Sequence, residues 1–207
     1  MEQTIEQTTE RVEAKPVKKK LDLKKRFSAK RLALIGVFIA LSYAVSLLEF
    51  PVFPGSPVSF LQLDFGNVFV LLISFLLGPV EGLIVCVLKE CLRMLGGTIV
   101  GELANILTTS AYILFPAIVY QYKKGLRWVV PCLVAACFIG TGAALLANRF
   151  ITFPIFGELF LKTDGVALFY GSFWLIVAFN LIKTSGISLL TLLLYKRLSN
   201  FLKKWRV

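Results

Sequence analysis

The chain has 207 residues, 57% of them hydrophobic and 17% charged, with a formal net charge of +11. A soluble domain carries about 25% charged and about 45–50% apolar residues, so the composition argues against a soluble globular enzyme and against disorder over most of the length. Histidine is absent, which removes His-based metal sites, Ser-His and Cys-His catalysis and histidine proton relays. A polytopic, all-α integral membrane protein is the class that remains.

In chain order, residues 1–30 come first. Up to Arg31 there are 10 Lys/Arg and 5 Asp/Glu without hydrophobic periodicity, which predicts a basic, disordered cytoplasmic tail resting on anionic membrane lipids. No aromatic or folded reader accompanies this charge, so no nucleic acid partner is expected. The membrane domain is predicted over residues 31–197. A bilayer-spanning helix needs about 20 apolar residues. Segments fitting that need run over about 32–50, 63–77, 80–95, 101–120, 129–151 and 166–195. The second is stopped by Gly78-Pro79, since proline cannot continue a helix ladder, and the fifth by Pro154. Residues 51–62, with three prolines and a glycine, form a loop. A second basic tail, residues 198–207, closes the chain.

Six spans with the N-terminus inside put 18 of the 23 Lys and Arg in inner segments, and only Lys162 in an outer loop. The positive-inside rule then predicts cytoplasmic termini at both ends.

Ionisable residues inside a bilayer are costly and mark functional sites. With this topology Asp64 and Asn67 fall at the outer start of the second span. Glu102 and Asn105 start the fourth, and Asn148 and Arg149 lie near the outer end of the fifth. Asn180 and Lys183, at i, i+3 on one face, lie near the middle of the sixth. Lys89, Glu90 and Arg93 occupy the middle to outer half of the third. The candidate ligand-binding residues are therefore Asn148, Asn180, Lys183, Asp64, Glu102, Asn105 and Lys89. Phe60, Phe65, Phe150, Phe153, Phe169 and Tyr170 are the candidate aromatic lining. Such a cavity suits a small, flat, polar-edged ligand. Glu102 and Asp64 also read as helix caps, and Lys89 as a structural partner of Glu90 or Glu102. Arg93 and Arg149 read as side chains that run out to the interface.

Gly36, Ala40 and Ala44 recur every four residues, with Ala33 at i, i+3 from Gly36, making a small-residue ridge on the first span. It serves either packing within the chain or docking of another membrane subunit. Cys86, Cys91, Cys132 and Cys137 all fall in apolar segments and read as small core hydrophobes. No phosphate-binding G-x-x-x-x-G-K-[ST] loop and no G-x-S-x-G elbow is present, so ATP is not bound through such a loop.

Four runs resemble one family. Leu63-Asp64-Phe65 continuing to Phe75-Leu76-Leu77-Gly78-Pro79 is similar to the second-helix pattern of riboflavin-type substrate-binding (S) components of energy-coupling factor (ECF) transporters. Gly101-Glu102-Leu103-Ala104-Asn105 resembles the fourth-helix motif. Asn148 followed by Pro154 resembles the end of the fifth, and Phe179-Asn180-Leu181-Ile182-Lys183 the sixth. The resemblance implies six helices and a riboflavin pocket near the extracellular side. Asn148, Asn180 and Lys183 would hydrogen-bond the isoalloxazine edge or ribityl chain. It also implies docking of Ala40-x-x-x-Ala44 on a transmembrane coupling subunit, with two ATPase subunits supplying energy and the S component toppling to release substrate. Riboflavin would be cargo, with no cofactor. The resemblance places the chain in the cytoplasmic membrane, as a multi-pass protein of a Gram-positive bacterium. Two departures are Gly66-Asn67, where the family often has Ser-Asp, and the charged Arg149. They leave open an S component for another vitamin or a flavin analogue. An integral membrane lipid-modifying enzyme is a third reading. It fits the polar groups less well, because activated substrates lie on the cytoplasmic side.

Overall fold

The computed structural model describes residues 28–96, 99–123 and 125–205. All but the end of the N-terminal basic tail lies outside them.

Helix α1 spans Ala29–Ser46. It ends four residues before the predicted boundary because the chain turns at Leu47 and enters a short antiparallel ribbon. In this ribbon β1 (Phe50–Pro51) pairs with β2 (Gln62–Leu63), in register Phe50 to Leu63 and Pro51 to Gln62. The ribbon closes the base of the proline-rich loop. Helix α2, Asn67–Leu76, has ten residues, eight of them buried. At about 1.5 Å per residue it extends only about 15 Å, half the thickness of a bilayer core. A helix that is apolar all round belongs inside a bundle, and α2 touches α1, the next two helices in the chain and the last one.

Gly78 takes φ +132° before α3, Pro79–Met94, a conformation that L side chains rarely adopt. Pro79 then sits in the first helical turn, where its missing N–H leaves no bond unmade. Helix α4 spans Ile99–Tyr122 and packs along α5, Leu126–Ala147.

Two further predicted boundaries are corrected. The fifth helix does not end at Pro154. A π turn over Asn148–Thr152 shifts the hydrogen-bond register just before it. The absent N–H of Pro154 therefore falls in the first turn of α6, Phe153–Phe156, and a second π turn follows at Gly157–Leu161. The sixth segment is two helices, α7 (Gly165–Gly171) and α8 (Phe173–Trp205), broken at Ser172. A Gly-Ser pair is a common place for such a break. Asp164 caps α7, accepting from the N–H groups of Val166 and Ala167.

Among the described residues four stretches are long and apolar enough to cross a membrane: Ala29–Ser46, Ile99–Tyr122, Arg127–Leu159 and Phe173–Tyr195. The main core joins α1 to α5 with α8 around Val70, Leu71, Ile73, Val85 and Ile113. Among lipid tails such contacts are held by close packing more than by exclusion of water. A second cluster, Val58, Phe153, Phe169 and Ile176, pins the loop to α6, α7 and the start of α8. At the opposite end of the bundle Tyr195 packs edge to face on Phe75 and Tyr120, Phe75 and Tyr120 are tilted against each other, and the two tyrosine hydroxyls are hydrogen-bonded.

Candidate ligand-binding site

A cavity of about 520 Å³ opens at the end of the bundle where α1, α3 and α5 finish and α2, α4 and α8 begin. Small-molecule sites occupy about 300–1,000 Å³. Its roof is the loop, through Phe60, Leu61 and Gln62. Its walls carry Tyr43, Glu49, Asp64, Arg93, Glu102, Asn105, Thr108, Asn148, Thr152, Phe156, Phe179, Asn180 and Lys183.

Asp64 is set by its own turn. Its Oδ1 accepts the Gly66 N–H at 2.9 Å, and the Gly66 carbonyl accepts from the Ser42 hydroxyl at 2.8 Å. A Cβ on Gly66 would collide with the Ser42 carbonyl oxygen, so glycine lets α1 approach closely here. Lys183 Nζ lies 3.6 Å from Asp64 Oδ2 and donates to Asn105 Oδ1 at 3.2 Å. Lys89 Nζ reaches Asn67 Oδ1 at 2.9 Å, Glu90 Oε1 at 2.8 Å and Asp64 Oδ1 at 3.6 Å. The Asn67 amide in turn donates to Thr109 at 3.1 Å. Lys89 thus makes one hydrogen bond, to Asn67, and two ion pairs, with Glu90 and Asp64.

Arg93 joins three elements. Its Nε donates to Glu102 Oε1 at 3.0 Å, Nη1 to the Ser46 carbonyl at 2.5 Å and Nη2 to Glu49 Oε2 at 2.5 Å. Glu102 Oε2 accepts from the Asn105 amide at 3.1 Å. The amides of Asn148 and Asn180 each donate 2.8 Å to the carbonyl four residues back, Ala144 and Ile176. This bond holds each side chain against its own helix while it borders the cavity.

Six of the seven predicted binding residues, Asp64, Glu102, Asn105, Asn148, Asn180 and Lys183, line this one cavity. Lys89 does not. It is fully buried behind the wall, where it holds Asp64 and Glu90. Arg93 does not run out to the interface as read from sequence. Three carboxylates hold it at the cavity. The signal was local: Arg93 is four residues from Lys89 and three from Glu90, on a face too charged to meet lipid. Arg149 does reach the surface, 5.5 Å over the rings of Phe150 and Tyr170.

Of the six expected aromatics only Phe60 lines the cavity. Phe65 packs on Phe50, Phe153 and Phe169 form the second core cluster, and Phe150 and Tyr170 are exposed. Tyr43, Phe156 and Phe179 take their place. Phe60 stacks on Phe156 with centroids 4.7 Å apart. Among the cysteines Cys86 and Cys137 are buried, whereas Cys91 is exposed and Cys132 half-buried; all four are free. Ala33, Gly36, Ala40 and Ala44 are exposed on α1, and a Cβ on Gly36 would meet nothing within 4 Å. Packing within the chain therefore does not explain the ridge.

The sequence pattern of the family described as "ECF transporter, substrate-specific component" matches residues 30–195. The riboflavin transporter RibU of Staphylococcus aureus (strain TCH60) is 34% identical over 182 residues, covering 84% of this chain and 93% of that protein. The riboflavin transporter FmnP of Bacillus subtilis (strain 168) is 24% identical over 195 residues, covering 86% and 96%. A solved S component of a bacterial ECF transporter superposes with a TM-score of 0.70 at 33% identity, over 84% of this chain and 98% of that one. These relatives are transporter components and not enzymes. The chain is thus a multi-pass membrane protein and belongs to the substrate-specific components of ECF transporters.

Proposed function

We propose that the chain binds riboflavin in this cavity, as the substrate-binding subunit of an uptake transporter with six membrane-crossing segments and both termini in the cytoplasm. The cavity then faces outward. The observation that carries the reading is the convergence of Asn105, Asn148, Asn180 and Lys183 on one cavity that also presents Phe60, Phe156 and Phe179. The isoalloxazine ring is flat, and one edge alternates hydrogen-bond acceptors with a donor. A side-chain amide has two N–H donors and one acceptor oxygen. With one N–H of Asn148 and of Asn180 held by its own helix, each amide keeps both kinds of group for that edge. Lys183 donates to a carbonyl or to a ribityl hydroxyl. The aromatic rings give the ring system faces to stack on.

Energy comes from partners in this reading: a transmembrane coupling subunit seated on the α1 ridge, and two ATPase subunits behind it. The names of the two curated relatives and the shared family support the substrate and this assembly.

The test is direct. The purified protein carries or binds a yellow flavin, read from visible absorbance and from quenching of tryptophan fluorescence. Asn180→Ala and Lys183→Ala each remove a hydrogen bond to ligand of about 1–3 kcal/mol, a loss of about 5–150-fold in affinity. A flat titration of the unaltered protein overturns the substrate. A different vitamin found by mass spectrometry of co-purified ligand replaces it within the same family.

A further inference from the structure

The loop roofing the cavity is fastened from two sides that share no chemistry. On one side Phe60 stacks on Phe156, and Val58 is 1% exposed among Phe153, Phe169 and Ile176. These contacts are apolar and involve the outer part of the loop. On the other side the fastening is ionic. Arg93 of α3 grips the Ser46 carbonyl at the last turn of α1 and Glu49 just beyond it. Glu49 is in turn held from β2. With its amide nitrogen facing the carboxylate, Gln62 donates to Glu49 Oε1 at 2.7 Å. Pro51 pairs with Gln62 in the ribbon, so this contact sits at the hinge where the loop leaves and re-enters the bundle.

Arg93 is also oversupplied with partners. Glu102 lies at 3.0 Å and Glu90 at 3.8 Å from its Nε, and both carboxylates are well buried, whereas the Glu49 side chain is 30% exposed. When Glu49 departs, the guanidinium keeps its buried carboxylates and water solvates Glu49. The buried network is therefore not broken by opening. Only one partly wet ion pair is exchanged, and such pairs are individually weak. A contact of this kind suits a joint that must open.

We infer that Arg93 is a positioning residue for the roof of the site: through Glu49 and Gln62 it holds the base of the loop closed over the cavity and thereby sets how long a bound ligand stays. This rests on the proposal that riboflavin occupies the cavity. Arg93 acts on ligand release through the loop, whether or not it touches the ligand.

The test uses the full chain in lipid nanodiscs with the variants Glu49→Gln and Arg93→Lys. A lysine is a single point donor and cannot serve Ser46, Glu49 and Glu102 together. Riboflavin dissociation is followed by the recovery of flavin fluorescence. In both variants release is expected to quicken about tenfold, with association changed much less. The melting temperature of ligand-free Glu49→Gln, whose substituted side chain is partly exposed, is expected to match that of the unaltered protein. A second measurement needs no ligand. Hydrogen exchange of the backbone amides over residues 50–63 should be faster in both variants, while α4 and α5 stay protected. Unchanged exchange in this segment overturns the inference whether or not riboflavin binds. Unchanged release with a lowered melting temperature also overturns it, because Arg93 is then only structural. Failure of the unaltered protein to bind riboflavin, with exchange still quickened, overturns the substrate and leaves the positioning role standing.

Discussion

Lys89 and Lys183 are both lysines buried at the end of Asp64, yet they carry different burdens. Lys89 is fully buried, donates to Asn67 and is ion-paired with Asp64 and Glu90. Removing one partner from a buried ion pair costs about 3–5 kcal/mol, because the other charge is left uncompensated. Lys89→Met is therefore expected to lower the thermal unfolding temperature sharply in detergent, and adding Glu90→Gln to recover part of the loss. Lys183 borders the cavity, so its loss should appear in ligand affinity. The sequence made Lys183 and Asn180 readable, because a charge at i, i+3 from an amide in an apolar helix has few structural explanations. It left Lys89 open between a ligand role and a structural partnership with Glu90 or Glu102. Which lysine faces the cavity is decided by helix rotation and by Asn67, a contact across 22 residues. Glu49 was read as the end of a span and Gln62 as loop. Their partnership with Arg93, 44 residues away for Glu49, has no local spacing to reveal it.

Two elements show where pattern reading succeeds and where it runs out. The ridge on α1 was visible as a four-residue repeat of small side chains, and the structure leaves Ala33, Gly36, Ala40 and Ala44 exposed. A tryptophan there would block the close approach of another helix. Ala40→Trp is expected to leave riboflavin binding by the purified chain unchanged while abolishing cellular uptake and co-purification of the coupling subunit. Loss of binding would instead place the ridge within the fold's own packing. The π turn over Asn148–Thr152 had no such signature. It is a change of hydrogen-bond register, and no residue type demands it, so Pro154 read as a stop. Asn148 and Thr152, at the i, i+4 spacing that shares one helix face, both border the cavity. Gly78-Pro79 placed the end of the second span, read over 63–77, whereas the helix itself covers only Asn67–Leu76 and is mostly buried in the bundle.

For the whole molecule, the uneven basic charge was the most readable feature, since the six-span reading puts 18 of 23 Lys and Arg in inner segments. A reporter that matures only in the cytoplasm, fused after Val207, is expected to be active, and the same reporter inserted beside Lys162 inactive. Activity at both would overturn the six-span topology. The edge-to-face cluster of Phe75, Tyr120 and Tyr195 closes the opposite end of the bundle, and between it and the cavity lie the Lys89 network and the fully buried Leu71, Val85 and Ile113. A vestibule with one door can equilibrate with only one compartment at a time. In sealed vesicles that contain this chain alone, labelled ligand should bind in stoichiometric amount and then stop, with neither accumulation nor counterflow of preloaded ligand. In the proposed assembly vectorial movement then comes from turning the door itself, which makes that assembly the smallest unit expected to carry flux.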